Sequence, residues 1–312
     1  MMRHCVDVEE REIYGGRHRR LRVFTFALVS VALAFVSLPL DAQQPGVLDG
    51  AQDFYRTTAR SWLGPIASVS QRLFVALAAL EIAISGLLWT MRRDSLDEVA
   101  AKFLIKFIVL SFVLLLITGA SVWLRPIVNS LAFAGRVAGV VAVPAGPSEV
   151  VDVGIRVAFS NLDTSGVPIS LSSMVTVLTL VVARFVILGA FFIVATLLVL
   201  AWVESYVALA GGVLFLGFGG FRATAQYAEN YLNYLVYLGV RLFLIYLLLG
   251  AGMTIVDNYI PTTLRVTTAQ EMAEVLAVSV IFAAIVVVIP RSMASRVASG
   301  ASFGLANALR SL

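Results

Sequence analysis

From Met174 to Gly219 the chain carries only two charged side chains, Arg184 and Glu204, and almost everything around them is aliphatic, aromatic or small. At ~1.5 Å per residue, a helix of that length is about twice the ~30 Å thickness of a bilayer core. Such a run must make two membrane crossings, or one crossing joined to a re-entrant or tilted piece. Further apolar runs occur at Leu73 to Met91, Phe103 to Trp123, Leu235 to Val256 and Met272 to Ile289. The composition fits, with 60% of residues hydrophobic and 13% charged, where soluble domains carry about a quarter charged. The expected fold class is all-α, a polytopic helical membrane protein. It should have about five transmembrane helices plus one bent or re-entrant segment, Trp202 to Gly219.

Arginine and lysine decide between five crossings and six. With five, Arg92, Arg93, Lys102, Arg222, Arg291, Arg296 and Arg310 fall on the cytoplasmic side. Arg56, Arg60, Arg72, Arg125, Arg136, Arg156 and Arg265 stay outside. Six crossings would move Arg222 and the tail outward and leave most of the basic charge on the wrong side.

Residues 1–42 read as a signal peptide or an uncleaved signal anchor. A basic stretch, Arg17 to Arg22, precedes the apolar Val23 to Leu38, and Ala42 offers a small residue for cleavage. Leu40 fits the small-residue rule poorly, which keeps the anchor open. Residues 43–72 read as a periplasmic amphipathic lead-in, with Phe54, Tyr55 and Trp62 among Gln52, Arg56 and Arg60. Residues 73–123 hold the first two transmembrane helices. Asp94 or Ser95 caps the second, and Lys102 and Lys106 are placed to snorkel toward the cytoplasmic face. Residues 124–172 read as a periplasmic loop punctuated by Pro144, Gly146, Pro147, Gly166 and Pro168. Within it, Glu149 to Phe159 suits strand or helix. A membrane domain, 173–290, and a short basic tail, 291–312, complete the chain.

Both histidines and the one cysteine, His4, His18 and Cys5, precede the apolar leader. From Gln43 onward there is neither residue type, so Cys/His zinc sites, Ser-His-Asp triads and disulfides are unavailable to a mature chain. No catalytic residue, metal or cofactor is expected, and the chain is not expected to be an enzyme.

The segment "GGVLFLGFGGFRATAQYAENYLNY", 211–234, joins a glycine-rich apolar half to a polar, tyrosine-bearing half. A dinucleotide fingerprint needs different glycine spacing in a βαβ unit, and a P-loop needs a lysine that is absent here. Gly211, Gly212, Gly217, Gly219 and Gly220 instead suit helix-contact or hinge positions. Arg222, Tyr227, Tyr231 and Tyr234 suit a helix at the membrane–water boundary. Glu81, Arg184, Glu204 and Arg241 lie inside expected spans. A central charge costs ~2.5–3.5 kcal/mol there, so each should face protein or water. Glu204 is expected to pair with Arg184 or Arg241.

Trp202, Glu204, Ser205, Gly212, Gly217, Gly219, Gly220, Arg222, Thr224, Tyr227, Ala228, Tyr231, Gly239 and Phe243 stand in a pattern. Residues 201–252 thereby resemble the signature region of the TrbL family of conjugal-transfer proteins. The resemblance implies a multi-pass inner-membrane component of a type IV secretion system; the leader and the basic charges put the mature start in the periplasm and the tail in the cytoplasm. It also implies a homo-oligomeric ring at the base of stalk and pilus. The implied partners are stalk or minor-pilin proteins, other inner-membrane secretion components and the lipid bilayer. A relaxase-bound single DNA strand would be met at most transiently. The long soluble tail frequent in the family is nearly absent from this sequence. The alternative is a secondary transporter or channel for a small solute. Transporters usually carry internal repeats, and no second copy of GGVLFLGFGG occurs.

Overall fold

The computed structural model describes residues 46–92, 96–139, 144, 146–159, 171–259 and 269–300. The expected signal segment 1–42 and the tail from residue 301 lie outside them. The elements are α1 (Val47–Arg92), α2 (Leu96–Thr118), α3 (Ala120–Ala138), α4 (Pro147–Phe159), α5 (Leu171–Gly211), α6 (Val213–Gly217), a 3-10 turn (Phe218–Gly220), α7 (Ala225–Tyr259) and α8 (Ala269–Gly300). Among the described residues, five helical stretches are long and apolar enough to cross a membrane: Val47–Met91, Leu96–Thr118, Leu178–Gly220, Ala225–Val256 and Met272–Ser299. The chain is a multi-pass, all-helical membrane protein, as its apolar runs predict.

The helices are longer than the sequence runs suggested. The lead-in and the first span form one continuous helix, α1, which passes through Pro65. Most of the region expected as loop after residue 123 is helix. Hydrogen bonding nearly continues across Gly119, whose N–H donates to the Leu115 carbonyl at 2.9 Å and whose carbonyl accepts from the Trp123 N–H at 2.9 Å. Arg125-Pro126 therefore does not end the helical run, and Pro126 lies within α3. Glu149 to Phe159 is helical: Val150, Val153 and Val157 are buried, the three-to-four spacing of one helix face. Pro290 does not close the last span either, because α8 runs on to Gly300. Proline removes one intrahelical donor, and at Pro65, Pro126 and Pro290 that loss alone does not end the helix.

α7 is the central helix. Leu235, Leu238, Leu242, Ile245 and Leu249 form its buried stripe, with Tyr246 beside them. α3 lies along it so closely that a methyl at Gly135 would sit 2.5 Å from the Phe243 carbonyl oxygen. On another side, α5 and α8 meet through the Phe191 and Phe282 rings, 6.0 Å apart. α2 lies at the periphery and exposes Phe103, Leu104, Phe107, Ile108, Phe112 and Leu115. In water that surface would be untenable, whereas in acyl chains it is solvated.

Candidate functional site

The expected bend does not begin at Trp202. α5 runs unbroken to Gly211 because nothing between Trp202 and Ala210 interrupts its backbone bonding. The Gly212 N–H still reaches the Ala208 carbonyl at 2.9 Å, and the Phe215 N–H returns to Gly212 at 2.9 Å. Gly212, Gly217 and Phe218 all keep right-handed helical dihedrals, and the chain leaves that region at Phe221 (φ −131°, ψ 130°). The glycines are thus not the break itself. They let a tightened helical segment lie flat on its neighbours.

That contact is backbone to backbone. A methyl at Gly217 would sit 2.8 Å from the Ser70 carbonyl oxygen. One at Gly220 would sit 2.6 Å from the Phe74 carbonyl oxygen and 3.0 Å from the Ala78 nitrogen. Gly219 faces α2 and α7, 2.9 Å from Val113 Cγ1 and 3.3 Å from the Ala228 Cβ by the same measure. Ser70 Oγ donates to the Val213 carbonyl at 2.8 Å. Gly211 has nothing within 4 Å and is no contact glycine, because it points away at the end of α5.

Ser70, Phe74, Ala78, Glu81 and Ser85 recur at three- and four-residue spacing on α1, which makes one stripe. Its lower end is charged. Glu81 is fully buried; its Oε1 accepts from Lys106 Nζ on α2 at 2.8 Å and from Ser85 Oγ at 3.3 Å. Lys106 also donates to Ser85 Oγ and lies 5.5 Å from the Trp89 ring centre. Glu81 Oε2 takes the backbone N–H of Arg222 at 3.1 Å, and Arg222 Nε stands 4.0 Å away. A single carboxylate therefore ties together α1, α2 and the chain that leaves the 3-10 turn. Lys106, expected to snorkel outward, is instead buried, because a carboxylate at its own depth outbids the headgroup region.

A second polar node joins α5 to α7. Arg241 pairs with Glu204 Oε2, and Tyr234 donates to Glu204 Oε1 at 2.8 Å. Of the two bases expected for Glu204, the structure selects Arg241. Arg184 stands apart, its Nε buried without a hydrogen-bond partner among the described residues. Deeper in, Trp202 Nε1 donates to the Tyr246 hydroxyl at 2.9 Å.

The tyrosine stripe does not behave as one belt. Tyr227 is exposed and Tyr234 borders on exposure, but Tyr231 is only 5% exposed. Its ring occupies the space above Gly212, 2.0 Å from where a methyl would be, and its hydroxyl donates to the Ala208 carbonyl at 3.2 Å. Tertiary packing overrides the boundary pattern there. Thr224 closes the turn by donating to the Phe218 carbonyl at 2.7 Å.

Glu204→Gln should lower stability by about 1–3 kcal/mol, since Arg241 is nearly buried and loses a charged acceptor. The check is the thermal unfolding midpoint in detergent, and an unshifted midpoint contradicts the pairing.

The glycine-rich segment, its α1 docking stripe from Ala78 down and both charged nodes fall within a longer match. The family model for the TrbL/VirB6 plasmid conjugal transfer protein covers residues 78–289. The chain belongs to the TrbL/VirB6 family. It is 28% identical over 228 residues to "Probable conjugal transfer protein TrbL" of Sinorhizobium fredii (strain NBRC 101917 / NGR234), covering 72% of this chain and 57% of that protein. It is 27% identical over 231 residues to "Conjugal transfer protein TrbL" of Rhizobium radiobacter, covering 73% of this chain and 57% of that one. The matched part of the chain thus spans little more than half the length of these curated relatives. The family's match also takes in α3 and α4, which the signature resemblance did not reach.

Proposed function

We propose that this protein is a non-enzymatic inner-membrane component of a conjugative type IV secretion system. In this reading several copies form a ring at the base of the stalk and pilus and support passage of a relaxase-bound DNA strand. The observation that carries it is the family match over residues 78–289, laid on five membrane-capable helices. In this reading α2 and α5 present broad apolar faces, among them Phe107, Phe112, Phe185 and Phe192, to lipid or to a neighbouring copy. The start of the mature chain is periplasmic and the tail cytoplasmic. Stalk or minor-pilin proteins and other secretion components would meet the regions 43–72 and 127–172.

The test uses cells carrying the full transfer system with this gene deleted and supplied in trans. A chain with Cys5 replaced and a cysteine placed at Phe112 or Phe192 should cross-link into a ladder above the dimer while plasmid mating continues. Mating that persists at wild-type frequency in the deletion strain would remove the secretion role. Mating restored by a chain that stays monomeric at every position tested would remove the ring alone.

A further inference from the structure

Three arginines gather where α1 and α3 both border α5. Arg56 and Arg60 stand one helical turn apart on α1, and both are exposed. Arg125, on α3, lies within electrostatic reach of both, and burial followed by their repulsion pushes its guanidinium below the usual arginine value. The Tyr206 hydroxyl on α5 is also in reach of Arg125, and it accepts from Gln52 Nε2 at 3.2 Å. Asp53 is paired with Arg56 at 3.6 Å, and both groups are well exposed. Neither Arg60 nor Arg125 has a carboxylate partner among the described residues. With Asp53 engaging only Arg56, Arg60 and Arg125 have no counter-ion among the described residues, which suits an anion that comes from outside the chain.

Its height identifies the anion. The Glu81–Lys106 pair sets the register of the α1–α2 hairpin. Helical bonding carried across Gly119 then brings Arg125 level with the Arg60–Trp62 turn of α1. Trp62 and Trp123 are both exposed at that height, within one turn of Arg60 and Arg125. Toward the bilayer the exposed surface is apolar, with Phe112 and Leu115 on α2. Exposed tryptophans at the edge of an apolar belt mark the headgroup layer, where the abundant anion is lipid phosphate.

We propose that Arg56, Arg60 and Arg125 form a binding site for the phosphate of an anionic phospholipid, flanked by Trp62 and Trp123 at the membrane–water boundary. The guanidiniums supply the charge and the planar donors that suit phosphate oxygens. The tryptophans hold the acyl–headgroup junction beside them. Such a site would select anionic over zwitterionic lipid next to this protein and fix the depth at which these ends of α1 and α3 sit.

The full chain in neutral-detergent micelles is titrated with brominated phosphatidylglycerol, brominated phosphatidylcholine, inorganic phosphate and a single-stranded oligonucleotide. Tryptophan quenching and lipid retained in native mass spectrometry are the readouts. Phosphatidylglycerol should bind about tenfold or more tightly than phosphatidylcholine, since each basic group near an anionic surface is worth roughly fivefold. The R60Q/R125Q chain should lose about thirtyfold in phosphatidylglycerol binding with phosphatidylcholine unchanged, and R60K/R125K should keep most of it. Inorganic phosphate should compete weakly, because it lacks the acyl chains that Trp62 and Trp123 contact. Should R125Q fail to fold, R56Q/R60Q replaces two exposed residues and must weaken phosphatidylglycerol by a similar factor. Equal binding of the two lipids overturns the site, as does a preference that survives these substitutions. Oligonucleotide displacing the lipid at lower concentration than phosphate does would also overturn it and make the cluster a nucleic-acid contact.

Discussion

Glu81→Gln, or Lys106→Met, lowers the stability of the folded chain by about 3–5 kcal/mol, the cost of leaving one member of a buried pair uncompensated. The pair is 2.8 Å apart, with side chains 3% and 0% exposed, so water cannot take over for the missing partner. The double variant E81M/K106M should recover most of this loss, since apolar side chains of similar size remove both desolvation costs together. A deficit of about 1–3 kcal/mol should remain, because the Arg222 N–H loses its acceptor. The measurement is a double-mutant cycle on unfolding in detergent. Single variants as stable as the wild type, or a double variant no better than the singles, would show that the pair does not hold this fold. The residual deficit matters most for function, since it measures how strongly Glu81 restrains the chain between the 3-10 turn and α7.

Gly220→Leu forces the glycine-rich segment off α1. Even a methyl there meets the Phe74 carbonyl oxygen at 2.6 Å, and backbone atoms of a helix cannot step aside as a side-chain tip can. Overpacking of this kind costs typically ~1–3 kcal/mol when neighbours can yield. Here the yielding element is the whole 213–220 segment. The expected result is loss of the Ser70–Val213 and Glu81–Arg222 hydrogen bonds, and with them loss of plasmid mating at near-normal protein level. Gly211→Ala is the internal comparison, because it meets nothing within 4 Å and gains helix propensity. It should mate and unfold like the wild type. Normal mating by Gly220→Leu, with the chain shown to be in the membrane, would mean that the close contact is dispensable.

Part of the site was open to sequence reasoning and part was not. The glycines were visible as contact positions because small residues in an apolar run have few other uses. Which of them make contact within one copy depends on which face of the segment meets α1, and Gly211 lies off that face. The Glu81–Lys106 pair had a signal that was not used. The two residues lie equally far from the Arg93–Asp94 bond, and residues equidistant from a hairpin turn share a depth. Tyr231 could not be told from Tyr227 or Tyr234, since period alone does not say which ring covers Gly212.

The sequence by itself determined that this chain lives in lipid as a bundle of helices, because apolar runs of that length leave the backbone no other way to satisfy its polar groups. It also anticipated the five membrane-capable helices found among the described residues, and the family. Helix ends lay beyond its reach, at the 72–73 boundary, at Arg125-Pro126 and at Pro290, since a missing proline donor by itself does not stop a helix. Only the tertiary structure chose partners for the charges: Lys106 for Glu81, Arg241 for Glu204 and, among the described residues, none for the Arg184 Nε. A buried charge is satisfied by whatever group reaches its depth and face, and both are properties of packing between helices far apart in the chain.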